Sequence, residues 1–381
     1  MRSLRSTTLA LAALVGLVAL PLSACSSSTS TADTTTTTSS KTATTGVYGL
    51  TAAYDPGPSA QSGSTDVYHC SLIDPHIASD SYVTSSQFLP GARSEVHHAI
   101  YFLVTPDQAS RARELDQGGQ GWTCFGAPLN PTGSFDNTAW LGGWSPGHGV
   151  SPTPRGTGIS IPAGSLIVMQ IHYNLLAGSE PDKSRVRLTT VPAAGSHLKE
   201  MMIAKYVAPP DLPCPTGVTG PLCDRSASIA DLVARTGPQA ESFLNLIEGA
   251  CRGQHDAQNP EIKGNLVTTT CTWPVRQTMH ILGATPHMHL LGQSESISLT
   301  SGETTTLLAK VDHYNFDNQI SYATHPAVVA HPGDSVTVTC TYDPTLRARN
   351  PQTRKLAPRF ITWGDGSSDE MCLGSVGFTT S

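Results

Sequence analysis

The histidines of this 381-residue chain are concentrated in three short stretches that are predicted to be β-strands. Of the 14 histidines, five lie in His97-His98, His172 and His287-x-His289. Neutral imidazole binds copper, zinc, iron and nickel, whereas a methionine thioether selects copper and above all Cu(I). The chemistry open to these five residues is therefore metal binding, and a methionine beside them would indicate copper.

The pair His287 and His289 lies in a predicted strand, Met279–Leu291. Side chains at positions i and i+2 of a strand point to the same face, so the two imidazoles can share one ion. The alternative is a pair of solvated surface histidines, which the apolar neighbours Met288 and Leu290 disfavour.

His172 lies in the predicted strand Ser165–Leu176, whose two faces differ in polarity. One face carries Ile167, Met169, Ile171, Tyr173 and Leu175, and the other carries Leu166, Val168, Gln170, His172 and Asn174. The first face is predicted to be core. A polar patch on a buried face usually has a function, although a hydrogen-bonded structural histidine remains open.

His97 and His98 are adjacent in the predicted strand Glu95–Val104. Adjacent side chains of a regular strand face opposite ways, so both can bind one ion only where the strand is twisted or bulged. The other reading is that one histidine binds the ion while its neighbour packs.

The remaining pattern favours an all-β protein with many turns. Glycine and proline number 34 and 28, and further strands are predicted at Asp334–Asp343, behind the turn Pro332-Gly333, and at Thr305–Val311. We expect two β-sandwich domains with a border near residues 195–210. Ser226–Gly249 has apolar spacing suited to one amphipathic helix or a helical pair, so it reads as an insertion.

The first 25 residues resemble an export signal. Arg2 and Arg5 precede the apolar run Thr8–Leu20, and Leu22-Ser23-Ala24-Cys25 resembles the bacterial lipobox, in which the cysteine is lipidated. The alternative is an ordinary signal peptide with a chance cysteine. Residues 26–46 are almost entirely Ser, Thr and Ala and are predicted to be a flexible tether. We therefore expect an exported protein that the lipid alone anchors to the outer face of the cytoplasmic membrane.

Beyond Cys25 the chain has eight cysteines, an even number that suggests four disulfides in an exported protein. The spacing alone allows 105 pairings. The net charge is −6, and the sequence contains no basic cluster that could neutralise phosphates. Nucleic acid is thereby excluded as a partner.

A candidate methionine ligand, Met371, lies in Asp369-Glu370-Met371-Cys372. Together with the histidine stretches, this motif resembles the copper type II ascorbate-dependent monooxygenases, the family of peptidylglycine α-hydroxylating monooxygenase and dopamine β-monooxygenase. The matching motifs occur in order over residues 65–379: Glu95-Val96-His97-His98, Trp144-Ser145-Pro146-Gly147, Gln170-Ile171-His172-Tyr173, His287-Met288-His289, Tyr314-Asn315-Phe316 and Asp369-Glu370-Met371-Cys372.

This resemblance implies two jelly-roll-like antiparallel β-sandwich domains with one copper each. The domain at 47–200 would hold an electron-transferring copper with His97, His98 and His172. The domain at 201–381, which includes the helical insertion at 207–262, would bind O2 and substrate at a copper held by His287, His289 and Met371. With ascorbate or another one-electron reductant, the two sites would hydroxylate an sp3 carbon of a small molecule. The family also implies an open cleft between the coppers, and we expect a monomer.

The resemblance extends to supporting residues. Gln170, which lies two residues before His172 on the same face, and Tyr68, just before His69-Cys70, are further candidates for the support of the first copper site and its catalysis. The family's disulfides would correspond to Cys70–Cys124 and Cys340–Cys372, the second tethering the strand that bears Met371. We expect the remaining pairs to be Cys251–Cys271 and Cys214–Cys223. No role is assigned to the other nine histidines: His69, His76, His148, His197, His255, His280, His313, His325 and His331.

The sequence departs from the family at the substrate. The peptide-amidating branch holds a substrate carboxylate with an arginine and a tyrosine, where this chain has Thr285 and Ser375. We therefore do not expect peptidylglycine as the substrate, and amines, phenethyl compounds and small metabolites stay open. Two alternative hypotheses are that the chain is a lipoprotein that binds or handles copper without turnover, or that it is a structural jelly roll whose metal sites have decayed. The six ligand residues argue against the structural reading, and Gln170 together with two different sites favours the enzyme.

Overall fold

A computed structural model describes residues 42–57, 65–124, 127–130, 138–145, 148–252 and 260–380. The predicted signal peptide with Cys25, the tether up to residue 41, and Pro146-Gly147 lie outside these residues. Within them the protein consists mainly of antiparallel strands, which confirms the all-β prediction.

The first β-sandwich is built from two sheets. Its strands are β1 (Thr44–Gly49), β2 (Asp66–Ile73), β3 (Ser81–Leu89), β4 (Val96–Val104), β5 (Trp140–Trp144), β6 (Ser151–Pro152), β7 (Thr157–Ile161), β8 (Leu166–Asn174), β9 (Arg185–Pro192) and β10 (Lys199–Glu200). One sheet has the order β1-β9-β3-β7-β10, with β6 paired to β3, and the other has the order β2-β8-β4-β5. Only the contact of β10 with β7 is parallel among the described pairs of this half.

Strand β8 occupies the middle of its sheet, between β2 and β4, and both of its faces are buried. The face predicted to be core, including Ile167 and Tyr173, packs against the opposite sheet. The other face begins with Leu166 and Val168, which pack against helix α1 (Ala109–Asp116) and its surroundings, and then becomes polar at His172. The change of polarity predicted along this strand therefore marks a real change of environment.

The second sandwich follows directly along the chain. Its strands are β11 (Met202–Val207), β12 (Asp211–Leu212), β13 (Glu261–Lys263), β14 (Leu266–Pro274), β15 (Met279–His287), β16 (Gly292–Ser301), β17 (Thr304–Val311), β18 (Tyr322–Ala330), β19 (Ser335–Tyr342), β20 (Ile361–Thr362) and β21 (Leu373–Thr379). The sheets β11-β21-β15-β18 and β13-β14-β19-β16-β17 enclose one apolar core, and β12 pairs with β20. Strand β10 ends at Glu200 and β11 begins at Met202, so the chain passes between sandwiches within one residue.

A helical pair lies between β12 and β13. It consists of α2 (Arg225–Thr236) and α3 (Gln239–Cys251), so the segment predicted as one helix or two is a pair. The Asp224 side chain caps α2 by accepting from the Ala227 amide, and Gly237, with a positive φ, ends it.

Three local features differ from the sequence predictions. The strand predicted at Met279–Leu291 ends at His287, so His289 lies in the turn that follows. Helix α1 was not predicted, since its eight residues have only a short apolar pattern. Strand β1 begins at Thr44, within the predicted 26–46 tether, because these residues pair with β9.

All four expected disulfides form: Cys70–Cys124, Cys214–Cys223, Cys251–Cys271 and Cys340–Cys372. They agree with an exported protein, because disulfides persist in oxidising compartments. Among the described residues, none of the helices has the length and apolar character needed to cross a bilayer.

We predict that removing the Cys340–Cys372 disulfide with the double variant Cys340→Ala/Cys372→Ala lowers the free energy of unfolding by about 3–4 kcal/mol. The two cysteines are 32 residues apart, so the bond restricts a long loop in the unfolded chain. Urea denaturation measures the change. The matched control, removal of Cys214–Cys223 with a separation of 9, should cost about 2–3 kcal/mol. A larger loss for the control would contradict the prediction.

Candidate metal centres

Three histidines of the first sandwich converge because strand β4 carries a bulge. The register between β4 and β8 shifts between Val96 and His98, at the position of His97. This irregularity allows adjacent side chains to reach one side, as the sequence required for a shared ion. His98 is paired directly with His172 on β8.

The ring nitrogens of this three-histidine cluster face one another. His98 Nδ1 lies 3.4 Å from His97 Nδ1 and 3.3 Å from His172 Nδ1. Three nitrogens held at about 2.0–2.1 Å from one ion lie roughly 3.3–3.6 Å apart, so the spacing suits a metal. Neutral imidazoles have too few protons to satisfy all three inward nitrogens with hydrogen bonds. The geometry and donor type therefore fit copper or another imidazole-binding metal.

His172 is oriented from its outer side by two residues of β2. Its Nε2 lies 2.8 Å from Asp66 Oδ1, and its ring stacks on Tyr68 with centroids 4.2 Å apart. Tyr68 in turn donates to the Asp365 carbonyl oxygen at 2.5 Å. A carboxylate behind a histidine fixes its tautomer and leaves the other nitrogen for a metal. Tyr68 was named from the sequence, whereas Asp66 was missed.

The second histidine pair lies at the end of β15. The rings of His287 and His289 are edge to face with centroids 5.2 Å apart. His287 Nδ1 contacts Gln319 Oε1 at 2.7 Å, and His289 Nδ1 contacts the Asp369 carbonyl oxygen at 3.2 Å. Both Nδ1 atoms are thereby engaged, so Nε2 is the nitrogen that each ring can offer to a metal.

Met371, which lines the same cavity as this pair, lies in the loop of residues 365–372, here called the methionine loop. The Glu370 carboxylate accepts hydrogen bonds from the amides of His289 and Leu291, at 2.9 and 2.7 Å. The Tyr342 hydroxyl donates to the Met371 carbonyl oxygen at 3.0 Å. The loop is therefore joined to the histidine turn at Glu370 and to β19 at Met371.

The helical pair also holds the methionine loop. Arg235 of α2 forms a two-pronged ion pair with Asp369, at 2.9 and 3.2 Å. Met371 packs against the apolar cluster that contains Leu232, Ile247 and Trp363. The insertion, whose function the sequence did not reveal, thus contacts the loop that carries the candidate thioether ligand.

One aromatic ring lies between the two histidine sets. Phe316 stacks on His97 with centroids 4.4 Å apart and meets His289 edge to face at 5.4 Å. Asp317 lies 3.6 Å from His97 Nε2. Phe316 therefore contacts one ring of each histidine set.

Burial favours the uncharged form of four site histidines by lowering their pKa. It lowers the pKa of His98 and His172 well below the usual value, with neighbouring histidines adding to the effect. It lowers the pKa of His289 in the same way and that of His287 to about 4. A neutral imidazole has a free lone pair, which is the form that binds a metal.

Two acids beside the histidine sets have a raised pKa. Burial raises the pKa of Glu370 to about 8, although hydrogen bonds from backbone amides oppose it. Burial also raises the pKa of Asp66, which a hydrogen bond from Ser367 lowers in part. Ser367 belongs to the methionine loop, so Asp66 connects that loop with His172.

Both histidine sets open onto one cavity of about 1320 Å³. His98 lines it from the first sandwich, and His287, His289 and Met371 line it from the second. The predicted histidine pair and methionine thus reach a common space, although they are more than 80 residues apart in sequence.

Three further residues named from the sequence are Gln170, His69 and His255. Gln170 lines the cavity, and its Nε2 lies 3.5 Å from Cys124 Sγ. Buried His69 stacks on Tyr54 with centroids 3.6 Å apart, and burial lowers its pKa to about 4, which is consistent with a structural role. His255 lies outside the described residues.

The sequence missed Asp66, Gln319 and Arg235 as supporting residues of the site. These three residues are hard to predict from the sequence, because an isolated Asp, Gln or Arg has no motif of its own. Each lies more than 30 residues away from the residue that it contacts.

Comparison with known families finds a match in the C-terminal part of the chain. Residues 252–378 match the family model of the copper type II ascorbate-dependent monooxygenase, C-terminal domain. The family recognised from the sequence motifs is thereby confirmed over the part of the chain that contains His287, His289 and Met371. No curated protein sequence matches the chain significantly.

Similar solved structures add nothing to this identification. An allantoicase is 12% identical, with a TM-score of 0.18, over 78% of this chain and 77% of the other. The coconut allergen cocosin is 8% identical, with a TM-score of 0.16, over 88% and 85%. Tomato vicilin is 8% identical, with a TM-score of 0.13, over 84% and 76%. Scores this low carry no argument about fold or function.

We predict that Asp66→Asn weakens Cu(I) binding at the three-histidine cluster by about 10–100-fold, because the carboxylate no longer orients His172. Competition with a chromophoric Cu(I) chelator measures the affinity, and the EPR spectrum of the Cu(II) form reports the geometry. Asp74→Asn is the matched control, since Asp74 contacts His76 at the exposed surface, at 3.3 Å. Equal affinity in both variants would contradict a supporting role for Asp66.

Proposed function

From the copper type II ascorbate-dependent monooxygenase domain matched by residues 252–378, we propose that this protein is a copper-dependent monooxygenase. It hydroxylates an sp3 C–H bond of a small organic substrate with O2 and an ascorbate-like one-electron reductant. The observation that carries the proposal is the convergence of His98, His287, His289 and Met371 on one cavity.

The reaction balances with two electrons and two protons. A substrate R–H and O2 yield R–OH and water, and two molecules of an enediol reductant such as ascorbate each supply one electron. Copper, when bound, supplies the one-electron redox chemistry that allows O2 to react with a C–H bond. The residues of the chain bind, orient and shield the reacting groups.

The three-histidine cluster fits the electron-transferring role. Its candidate ligands are all histidines, and Asp66 and buried Tyr68 hold His172 in place. Phe316 contacts both His97 and His289, so it offers a short path for an electron between the two histidine sets. Electron transfer through Phe316 does not require water between the two histidine sets at this position.

The histidine–methionine set fits the oxygen and substrate role. His287, His289 and Met371 would hold the ion, and a thioether among the ligands would favour the Cu(I) state needed for chemistry with O2. Gln319 and the Asp369 carbonyl oxygen orient the two rings so that Nε2 is available. The adjoining cavity gives a substrate access to this position.

The decisive experiment is O2 consumption by the copper-loaded protein with ascorbate across a panel of candidate substrates. We predict substrate-dependent uptake and a hydroxylated product for the wild type. Met371→Leu, which keeps the volume but removes the sulfur, should lose this activity by at least about 10–100-fold while both histidine sets remain. In the same variant, the X-ray absorption spectrum of the Cu(I) protein should no longer show a sulfur ligand.

Met169→Leu is a control, because Met169 is buried in the core of the first sandwich and does not line the cavity. It should keep the sulfur ligand and the activity. Two bound coppers without substrate-dependent uptake would instead support the alternative, a copper-handling protein. Failure to bind two coppers would overturn both functions.

We also propose that the protein is anchored to the outer face of the cytoplasmic membrane through lipidated Cys25. The four disulfides agree with export, and the lipobox-like Leu22-Ser23-Ala24-Cys25 supports the anchor. In a bacterial host, Cys25→Ala should abolish labelling by a clickable fatty acid and move the protein from the membrane to the soluble fraction. Labelling that persists in the variant would overturn the anchor.

A further inference from the structure

The walls of the cavity indicate what kind of molecule the enzyme oxidises. We propose that the helical pair α2–α3 forms a substrate-binding wall, and that the substrate is an uncharged, predominantly apolar molecule larger than a single ring. This inference rests on the proposed function for its chemistry, but the binding that it describes can be measured separately.

The helical pair contributes apolar side chains to the cavity. Leu232, Phe243, Leu246 and Ile247 all line it, and Leu246 is 59% exposed although it is a large apolar residue. Four tryptophans from neighbouring strands and loops complete this lining: Trp140, Trp144, Trp273 and Trp363. A concave surface of this composition binds apolar ligands through the hydrophobic effect.

This apolar wall adjoins the candidate oxygen site. Phe243 meets Trp363 edge to face with centroids 5.2 Å apart. Met371 packs against the same cluster. An apolar group bound at Phe243 and Trp363 would therefore present its C–H bonds next to Met371.

Charge is scarce on the described part of the cavity wall. Of the described residues that line it, Glu200, Lys205 and Asp365 are the only acidic or basic side chains apart from histidines. Glu200 is exposed, and the Lys205 ammonium lies 4.3 Å from the centroid of the Trp140 ring. Burying a charged ligand without a partner is costly, so the wall disfavours a charged group over the large part of its described surface that lies away from these three residues.

The two positions at which the chain differs from the peptide-amidating branch also line the cavity, on the strands that face it. Thr285 of β15 is paired directly with Ser375 of β21, and both line the cavity. Thr285 Oγ1 is 2.7 Å from Ser321 Oγ. These positions therefore present hydroxyl groups, which can orient a neutral polar group of a substrate but cannot neutralise a carboxylate.

The size of the cavity sets the scale of the ligand. Sites for drug-sized molecules measure about 300–1,000 Å³, and this cavity of about 1320 Å³ exceeds them. A single-ring metabolite would leave much of the apolar wall in contact with water. A molecule with several rings or a long alkyl chain would cover it.

The test measures binding with the full-length, copper-loaded protein in the absence of reductant, so that no turnover occurs. The probe is N-phenyl-1-naphthylamine, a neutral fluorophore that brightens in apolar surroundings. It is displaced by three ligands with one skeleton: 2-(4-biphenylyl)ethanol, the corresponding ethylamine and 4-biphenylacetate. We expect the alcohol to bind at least about tenfold more tightly than either ion.

Variants of the helical pair locate the binding site. Leu246→Glu adds a negative charge at an exposed position, which spares the fold, and should shift the preference from the alcohol to the amine. Phe243→Ala should weaken all three ligands, and Phe243→Leu should restore most of the loss. Leu307→Glu is the matched control, because Leu307 is 57% exposed but does not line the cavity.

The outcomes separate this inference from the proposed function. Tightest binding by the amine or the acetate, or an unchanged preference in Leu246→Glu, would overturn the substrate class. Preferred binding of the alcohol with no hydroxylation when ascorbate and O2 are added would leave the binding wall established and count against the monooxygenase. Hydroxylation of the bound alcohol would support both.

Discussion

The methionine loop of residues 365–372 is held from three directions, and both candidate metal centres depend on this arrangement. From the first sandwich, Tyr68 donates to the Asp365 carbonyl oxygen. From the second, Glu370 accepts from the amides beside His289. From the insertion, Arg235 pairs with Asp369. Since Tyr68 also stacks on His172, the loop contacts a residue that supports His172 as well as carrying Met371.

The contacts that hold this loop serve to position the Met371 thioether for a metal ion. A soft thioether is a weak ligand, so it must be placed by the protein and not by its own affinity for the ion. The Cys340–Cys372 disulfide limits the freedom of the segment immediately after Met371. The Tyr342 hydroxyl fixes the Met371 carbonyl oxygen. These contacts leave the side chain as the main remaining freedom.

The helical insertion combines two tasks that would otherwise need separate elements. Its polar side, through Arg235, holds the methionine loop, and its apolar side, through Phe243 and Leu246, lines the cavity. Because both tasks belong to the same helices, a change in the insertion would alter the placement of the ligand and the shape of the cavity together. The disulfide between Cys251 and Cys271 ties the end of α3 to β14 and so limits such changes.

The amino-acid sequence by itself determined the donor types and the local elements. The alternation of β8 and the β-branched pattern of β19 depend on neighbours along the chain, and the family motifs supplied two of the four disulfide pairs and the histidine sets. Only the tertiary structure decided that His97 and His289 contact one ring, that Asp66 supports His172, and that α2–α3 lines the cavity. These contacts join residues far apart in sequence, and they arise from the packing of whole sheets, which no local periodicity encodes.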